Sequence, residues 1–127
     1  MEQLGRIIQK GAINGIALVS KTPVSFFGYV DPKTGVVTEK GHELFGQSIT
    51  GKILVFPYGK GSTVGSYSLY RMKKEGSAPV GIINSECEPI VAVGAIISDI
   101  PCVDKIDITK ISTGDTVKIN NDLVTIG

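Results

Sequence analysis

The residues best suited to chemistry lie in one short stretch, Gly59-Lys60-Gly61-Ser62-Thr63-Val64-Gly65-Ser66. An apolar run, Lys52-Ile53-Leu54-Val55-Phe56, precedes it, and a segment with helical spacing follows. Small residues between a buried strand and a helix N-terminus leave backbone N–H groups free, and together with the helix dipole these attract an anion such as a carboxylate or phosphate. The stretch is not a Walker A motif, because no Gly-Lys-Ser/Thr triplet occurs, and it lacks the third glycine of the dinucleotide fingerprint. Spacing alone also allows a plainer reading, in which Ser62 or Thr63 caps the helix and the glycines only turn the chain.

Ser62 has the hydroxyl of a base or nucleophile but needs a partner or surroundings to activate it. The one histidine, His42, lies in the polar stretch Glu39-Lys40-Gly41-His42-Glu43 with no evident link to the loop, so no Ser–His–Asp triad is indicated. Cys87 and Cys102 form no CxxC pair and are too few to hold structural zinc or an iron–sulfur cluster unaided; they read as small core hydrophobes and cytosolic thiols. Glu86 and Glu88, which precede an apolar segment, suit a helix start better than paired acid–base work. Arg71, Lys73 and Lys74 suit the negative end of a helix, with an acidic partner or phosphate as the alternative. A net charge of +1 offers no field for nucleic acid. No apolar run approaches the ~20 residues that cross a bilayer, and the opening residues carry no signal-peptide pattern, so the expected location is the cytoplasm.

The elements that position these residues follow from periodicity and from the turns set by sixteen glycines. Ile16–Val19, Val24–Val30 and Val36–Thr38 predict a β-meander in the first third. Lys52–Phe56 predicts a strand covered on both faces. Val64 to Glu75, with Val64, Tyr67 and Tyr70 at i, i+3, i+6 and Gly76 after a basic last turn, predicts a helix. Ala78–Asn84 is a second buried strand, and Pro89 to Ile97 a second helix begun by a proline. Cys102-Val103 is a short strand, and 113–119 with 123–126 a closing hairpin. With 42% hydrophobic residues and no polar linker, residues 1–127 are expected to form one β-rich domain with two helices.

The glycine stretch and its lead-in Gly51-Lys52-Ile53-Leu54-Val55-Phe56-Pro57 resemble the small subunit of the aconitase X family. So do Ala95-Ile96-Ile97-Ser98-Asp99-Ile100-Pro101-Cys102-Val103-Asp104 and Gly114-Asp115-Thr116-Val117. The resemblance runs over nearly the whole length. It implies an α/β fold, a swivelling β/β/α domain with a barrel-like core and two helices, like the mobile last domain of aconitase. It also implies a large aconitase X-like subunit as partner, holding a 4Fe–4S cluster, with no metal bound by this chain.

The activity so implied is that of a hydro-lyase converting (R)-5-phosphomevalonate to trans-anhydromevalonate 5-phosphate in the archaeal modified mevalonate pathway of isoprenoid synthesis. By position in the family's loop, Ser62 is the proton acceptor, taking a proton from the carbon next to the carboxylate while the partner's iron polarises the tertiary hydroxyl. Lys60, Gly61, Thr63, Gly65 and Ser66 are the candidates to hold the substrate's carboxylate or phosphate. Aconitase itself has a substrate-binding arginine two positions after this serine, where this chain has Val64, so the anion's cation must come from Lys60 or the partner. Two alternatives stand beside this: a dehydratase of the same family for another hydroxy acid such as cis-3-hydroxyproline, and a non-catalytic swivel module. The second is disfavoured because the loop lacks a histidine.

Overall fold

The computed structural model describes residues 1–127. Eight strands are present: β1 (Glu2–Leu4), β2 (Arg6–Gln9), β3 (Ala12–Val19), β4 (Ile53–Phe56), β5 (Gly81–Asn84), β6 (Cys102–Asp104), β7 (Thr116–Asn120) and β8 (Leu123–Ile126). Two helices, α1 (Gly65–Glu75) and α2 (Pro89–Ser98), join β4 to β5 and β5 to β6. Across the sheet the order is β1-β8-β7-β3-β4-β5-β6-β2. β1 and β2 are separated in sequence only by Gly5, yet they occupy opposite ends of that order. The N-terminal segment therefore closes the sheet into a nearly complete barrel. β3 is the other corner: Ala12–Ile16 pair antiparallel with β7, and Ala17–Val19 pair parallel with β4.

Gly5 is required at the closure. Its N–H donates to Asp122 O (2.8 Å), and a Cβ there would overlap the carbonyl oxygen of Asp104. One residue on, Arg6 grips the Asp104 carboxylate with two hydrogen bonds, Nε to Oδ1 (3.0 Å) and Nη2 to Oδ2 (2.7 Å). The N–H of Cys87 also donates to Oδ2 (2.8 Å), so one buried carboxylate ties β2, β6 and the loop leading into α2. Burial pushes the Asp104 pKa up, but the hydrogen bonds from Arg6 and Cys87 and the charges of Arg6 and Lys105 outweigh it and hold the carboxyl below its usual range.

The four-residue runs of β4 and β5 are buried at every position because each strand serves two cores. Ile53, Val55, Ile83, Val103, Val117, Ile119 and Val124 fill the barrel. Leu54, Phe56, Ile82 and Cys102 point outward and are covered by Leu69 and Met72 of α1, by Val91 and Ala95 of α2, and by Val24, Phe26, Val30, Val37, Leu44 and Ile49. Phe26 and Phe56 meet edge to face at 6.1 Å. Gly76 ends α1 in the left-handed conformation (φ 80°). Glu88 starts α2, accepting from Ile90 N–H (2.7 Å) and Val91 N–H (2.9 Å). No helix is long and apolar enough to cross a membrane.

One expectation needs correction. The first third is not a β-meander: between β3 and β4 only the isolated bridges Val24–Gly59, Val30–Val37 and Val36–Ser48 form. Turns set by Gly28, Gly35, Gly41 and Gly46, all at positive φ, interrupt the β-branched segments before ladders can form. The helical stripe Val64, Tyr67 and Tyr70 faces outward, and the buried side of α1 is Gly65, Ser66, Leu69 and Met72. The pairing strands β1 and β2 are an addition to the elements expected from the sequence.

Two outcomes follow. Gly5→Ala should force β6 and the N-terminal segment apart and lower stability by about 1–3 kcal/mol, read as a reduced urea midpoint. Asp104 has a depressed folded-state pKa, so its contribution is full above the ordinary carboxylate pKa of about 3.9 and is lost as pH falls through the folded value. Urea unfolding below about pH 4 should show this loss, and Asp104→Asn should flatten that part of the profile while lowering stability at pH 7.

Candidate active site

β4 ends at Phe56, and the chain leaves the C-terminal edge of the parallel strands at Pro57, the position where ligand sites form in parallel sheets. Residues 58–64 then carry it to α1. Ser62 is exposed, and its Oγ accepts the N–H of Val64 (3.2 Å), while its carbonyl accepts the N–H of Gly65 (2.9 Å). Ser62 thus caps the turn that leads into α1. The N–H groups of Gly61, Ser62 and Thr63 donate to no protein acceptor. Three unengaged N–H groups lie in the loop with Ser62, just before the positive end of an eleven-residue helix, so the local field favours an anion there.

The glycines shape this arrangement by close approach. Gly61 sits at φ 93°, and a Cβ on it would crowd the Ser25 hydroxyl. A Cβ on Gly59 would run into the Glu88 carboxylate and Val91 of α2, and one on Gly65 would press Ile90 Cγ2 at 3.1 Å. The loop is braced from both sides. On one, Val24 N–H donates to Tyr58 O (3.3 Å) and Lys60 N–H to Val24 O (3.0 Å); on the other, α2 packs beneath it.

The remaining residues expected at the site divide by what they touch. Lys60 Nζ is 2.8 Å from Glu39 Oε2, both groups partly exposed, so its charge is paired within the chain. Thr63 is exposed beside Ser62. Gly65 and Ser66 use their N–H groups inside the loop, on Ser62 O and Thr63 O (3.2 Å), and the buried Ser66 hydroxyl donates to Ile90 O (2.6 Å), tying α1 to α2. Arg71 lies two turns along α1 in a separate concavity of about 300 Å³ with Phe27, Asp31 and Thr38. A larger concavity of about 530 Å³ beside Val19, Lys21 and Glu43 contains none of the loop residues.

His42 does not join Ser62. Its Nε2 lies 2.9 Å from Pro23 O and 3.1 Å from Thr22 Oγ1, and its Nδ1 accepts Leu44 N–H (3.0 Å), so it organises a turn. Glu88 is a cap and Glu86 pairs with Lys105, so these carboxylates do not form a proton-transfer pair. The Cys102 thiol is buried, and a shared hydrogen bond with Cys87, followed by desolvation, pushes its pKa well above the usual thiol value. No group of three or more His, Cys, Asp or Glu side chains is placed to hold a metal ion. Ser25 and Glu39, which contact the loop from a distant segment, carry no motif that marks them in sequence; only the fold brings them there.

The chain matches the family model described as "Aconitase X swivel domain" over residues 2–126. It is 58% identical over 119 residues to the phosphomevalonate dehydratase small subunit of Methanosarcina acetivorans, covering 91% of this chain and 83% of that one. It is 57% identical over 122 residues to the protein of the same name from Methanocaldococcus jannaschii, covering 96% and 93%. The crystal structure of Thermococcus kodakaraensis aconitase X in its holo form superposes with a TM-score of 0.98 at 52% identity, over 100% of this chain and 98% of that one. The fold is thus shared over the whole length of the chain, and the chain belongs to the aconitase X swivel-domain family.

Proposed function

We propose that this chain is the small subunit of a hydro-lyase that dehydrates (R)-5-phosphomevalonate to trans-anhydromevalonate 5-phosphate, with Ser62 as the general base. The names of relatives 52–58% identical over more than nine tenths of the chain support the reaction. The observation that carries the role of Ser62 is local: its oxygen accepts a backbone N–H at a helix N-terminus, beside three N–H groups with no acceptor. A donor held on the oxygen, here Val64 N–H, lowers the cost of an alkoxide, and the α1 dipole adds to this.

Ser62 Oγ takes the proton from the carbon next to the substrate carboxylate. The electron pair of that C–H bond becomes the new double bond as the C–O bond breaks; the departing hydroxide takes up a proton and is released as water, and Ser62, the alkoxide at the start, returns the proton it gained to solvent. Gly61 and Thr63 offer free N–H groups to the substrate's carboxylate or phosphate, while Gly65 and Ser66 hold the loop's shape. Lys60 supplies a cation when an incoming anion displaces Glu39. Within this chain Ser62 Oγ hydrogen-bonds only to Val64 N–H, so the rest of the site belongs to a second chain, the large subunit.

The family carries an expectation of an iron–sulfur cluster, and the residues here do not fit one. One of the two thiols is sequestered in the core against the other, and no further ligand joins them. We assign that group to the large subunit.

The test is the complex of this chain with its large subunit, assembled anaerobically and assayed with (R)-5-phosphomevalonate, cis-3-hydroxyproline and citrate. Turnover is expected with the first alone. Ser62→Ala should lower kcat by about 10²–10⁴-fold with the complex intact; near-normal turnover sinks the assignment. Gly61→Ala, which strains the loop beside Ser62 and crowds Ser25, should lower kcat by about 10²-fold while the Tm moves by only a few degrees.

A further inference from the structure

Helix α2 has no charged side chain from Pro89 to Ser98. Its inner side, Val91, Gly94, Ala95 and Ser98, packs on the barrel and on α1. Its outer side is equally apolar and uncovered: Val93 is 47% exposed, Ile96 51% and Ile97 41%. A helix that is apolar all round is normally buried all round. The first turn of α1 extends the same face, with Val64 44% and Tyr67 68% exposed. Between the helices runs a groove of about 360 Å³, lined by Thr63, Val64, Tyr67, Ile90 and Val93 among others. Its lining reaches Thr63, the chain neighbour of the proposed base Ser62.

We infer that this face, the outer side of α2 with the first turn of α1, is where the large subunit docks. The inference rests on the reading of this chain as a small subunit. It goes further in saying which surface is covered and why the site is incomplete without it. A contiguous apolar patch of this kind marks an interface, whereas single exposed apolar residues do not. Leu4 is more exposed still, at 73%, but it lies on β1, outside both helices, with the charged Glu2 and Arg6 two positions away on either side.

Continuity with the loop identifies the occupant. The exposed N–H groups of residues 61–63 are free to receive an anion, and Ser62 needs a substrate presented from outside the chain. A second copy of this chain seated on the same face would set donors against donors and supply neither. A large subunit seated on α2 and Tyr67 brings its own surface over the loop, closing the groove and excluding water from the Ser62 oxygen. The absence of charge on α2 requires an apolar counterpart, so the affinity should depend only weakly on salt.

The experiment compares this chain with its Val93→Asp, Ile97→Asp, Leu4→Asp and Ser62→Ala variants for binding to the purified large subunit, by calorimetry, and for activity as that subunit is titrated. Val93→Asp and Ile97→Asp should each raise Kd at least 100-fold while kcat at saturating partner stays within threefold. Leu4→Asp should change neither, and Ser62→Ala should bind like wild type without turning over. Melting of each isolated variant checks folding, and hydrogen–deuterium exchange of the wild-type complex should show new protection at 89–98. Folded Val93→Asp and Ile97→Asp chains that bind within threefold of wild type, or protection confined to other segments, would overturn the inference. So would a homodimer of the isolated chain that Val93→Asp dissociates while partner binding is unchanged. Failure of the wild-type chain to bind the large subunit would instead overturn the reading it rests on.

Discussion

Closure of the barrel at Gly5 is the constraint on which the rest depends. Only a residue without a side chain can pass between the end of β6 and the β7–β8 turn, and that passage lets one short segment pair with both edges of the sheet. Arg6 and the buried Asp104 carboxylate then fix the seam from one side, and Cys87 N–H fixes the following loop to the same carboxylate. Once the sheet is closed, β4 and β5 must be apolar on both faces, one for the barrel interior and one for the helices. The position of α2, and through Glu88 and Val91 the position of Gly59, descends from that seam.

The glycine loop is accordingly not a free-standing flexible segment. It is pinned at its start by pairing between Val24 and residues 58–60, at its middle by the close approach of Gly61 to Ser25, and at its end by the Ser66 hydroxyl on α2. What remains unengaged is small and polar: three N–H groups and the Ser62 oxygen. Neither Ser62 nor Thr63 caps α1, whose N-cap is Val64 with no side-chain partner; Ser62 instead closes the turn before it, and the Val64 N–H that makes that turn also stabilises negative charge on the oxygen.

Much of this was legible in sequence where local rules act. β4, β5, the closing hairpin and both helices followed from continuous apolar runs, Gly76 and Pro89, and the loop from its glycines. Segments 24–30 and 36–38 read as strands because Val24, Phe26, Phe27 and Tyr29 have strand propensity, while the positive-φ glycines that break them into turns act one residue at a time. β1 and β2 were missed because their pairing is made to residues about a hundred positions away. The orientation of the Val64, Tyr67 and Tyr70 stripe was invisible for a different reason: an apolar face that meets another protein has the same composition as one that meets a core. Glu39, paired with Lys60, and Ser25, against Gly61, come from distant sequence and carry no mark of their own.

The central claim is that Ser62 moves the proton at the carbon beside the substrate carboxylate. The most direct measurement is deuterium incorporation at that carbon when the assembled complex is held with substrate in D₂O, followed by NMR in wild type and in Ser62→Ala. The account predicts incorporation by wild type and none above background by the variant with the complex intact. Incorporation at the wild-type rate by Ser62→Ala would contradict it.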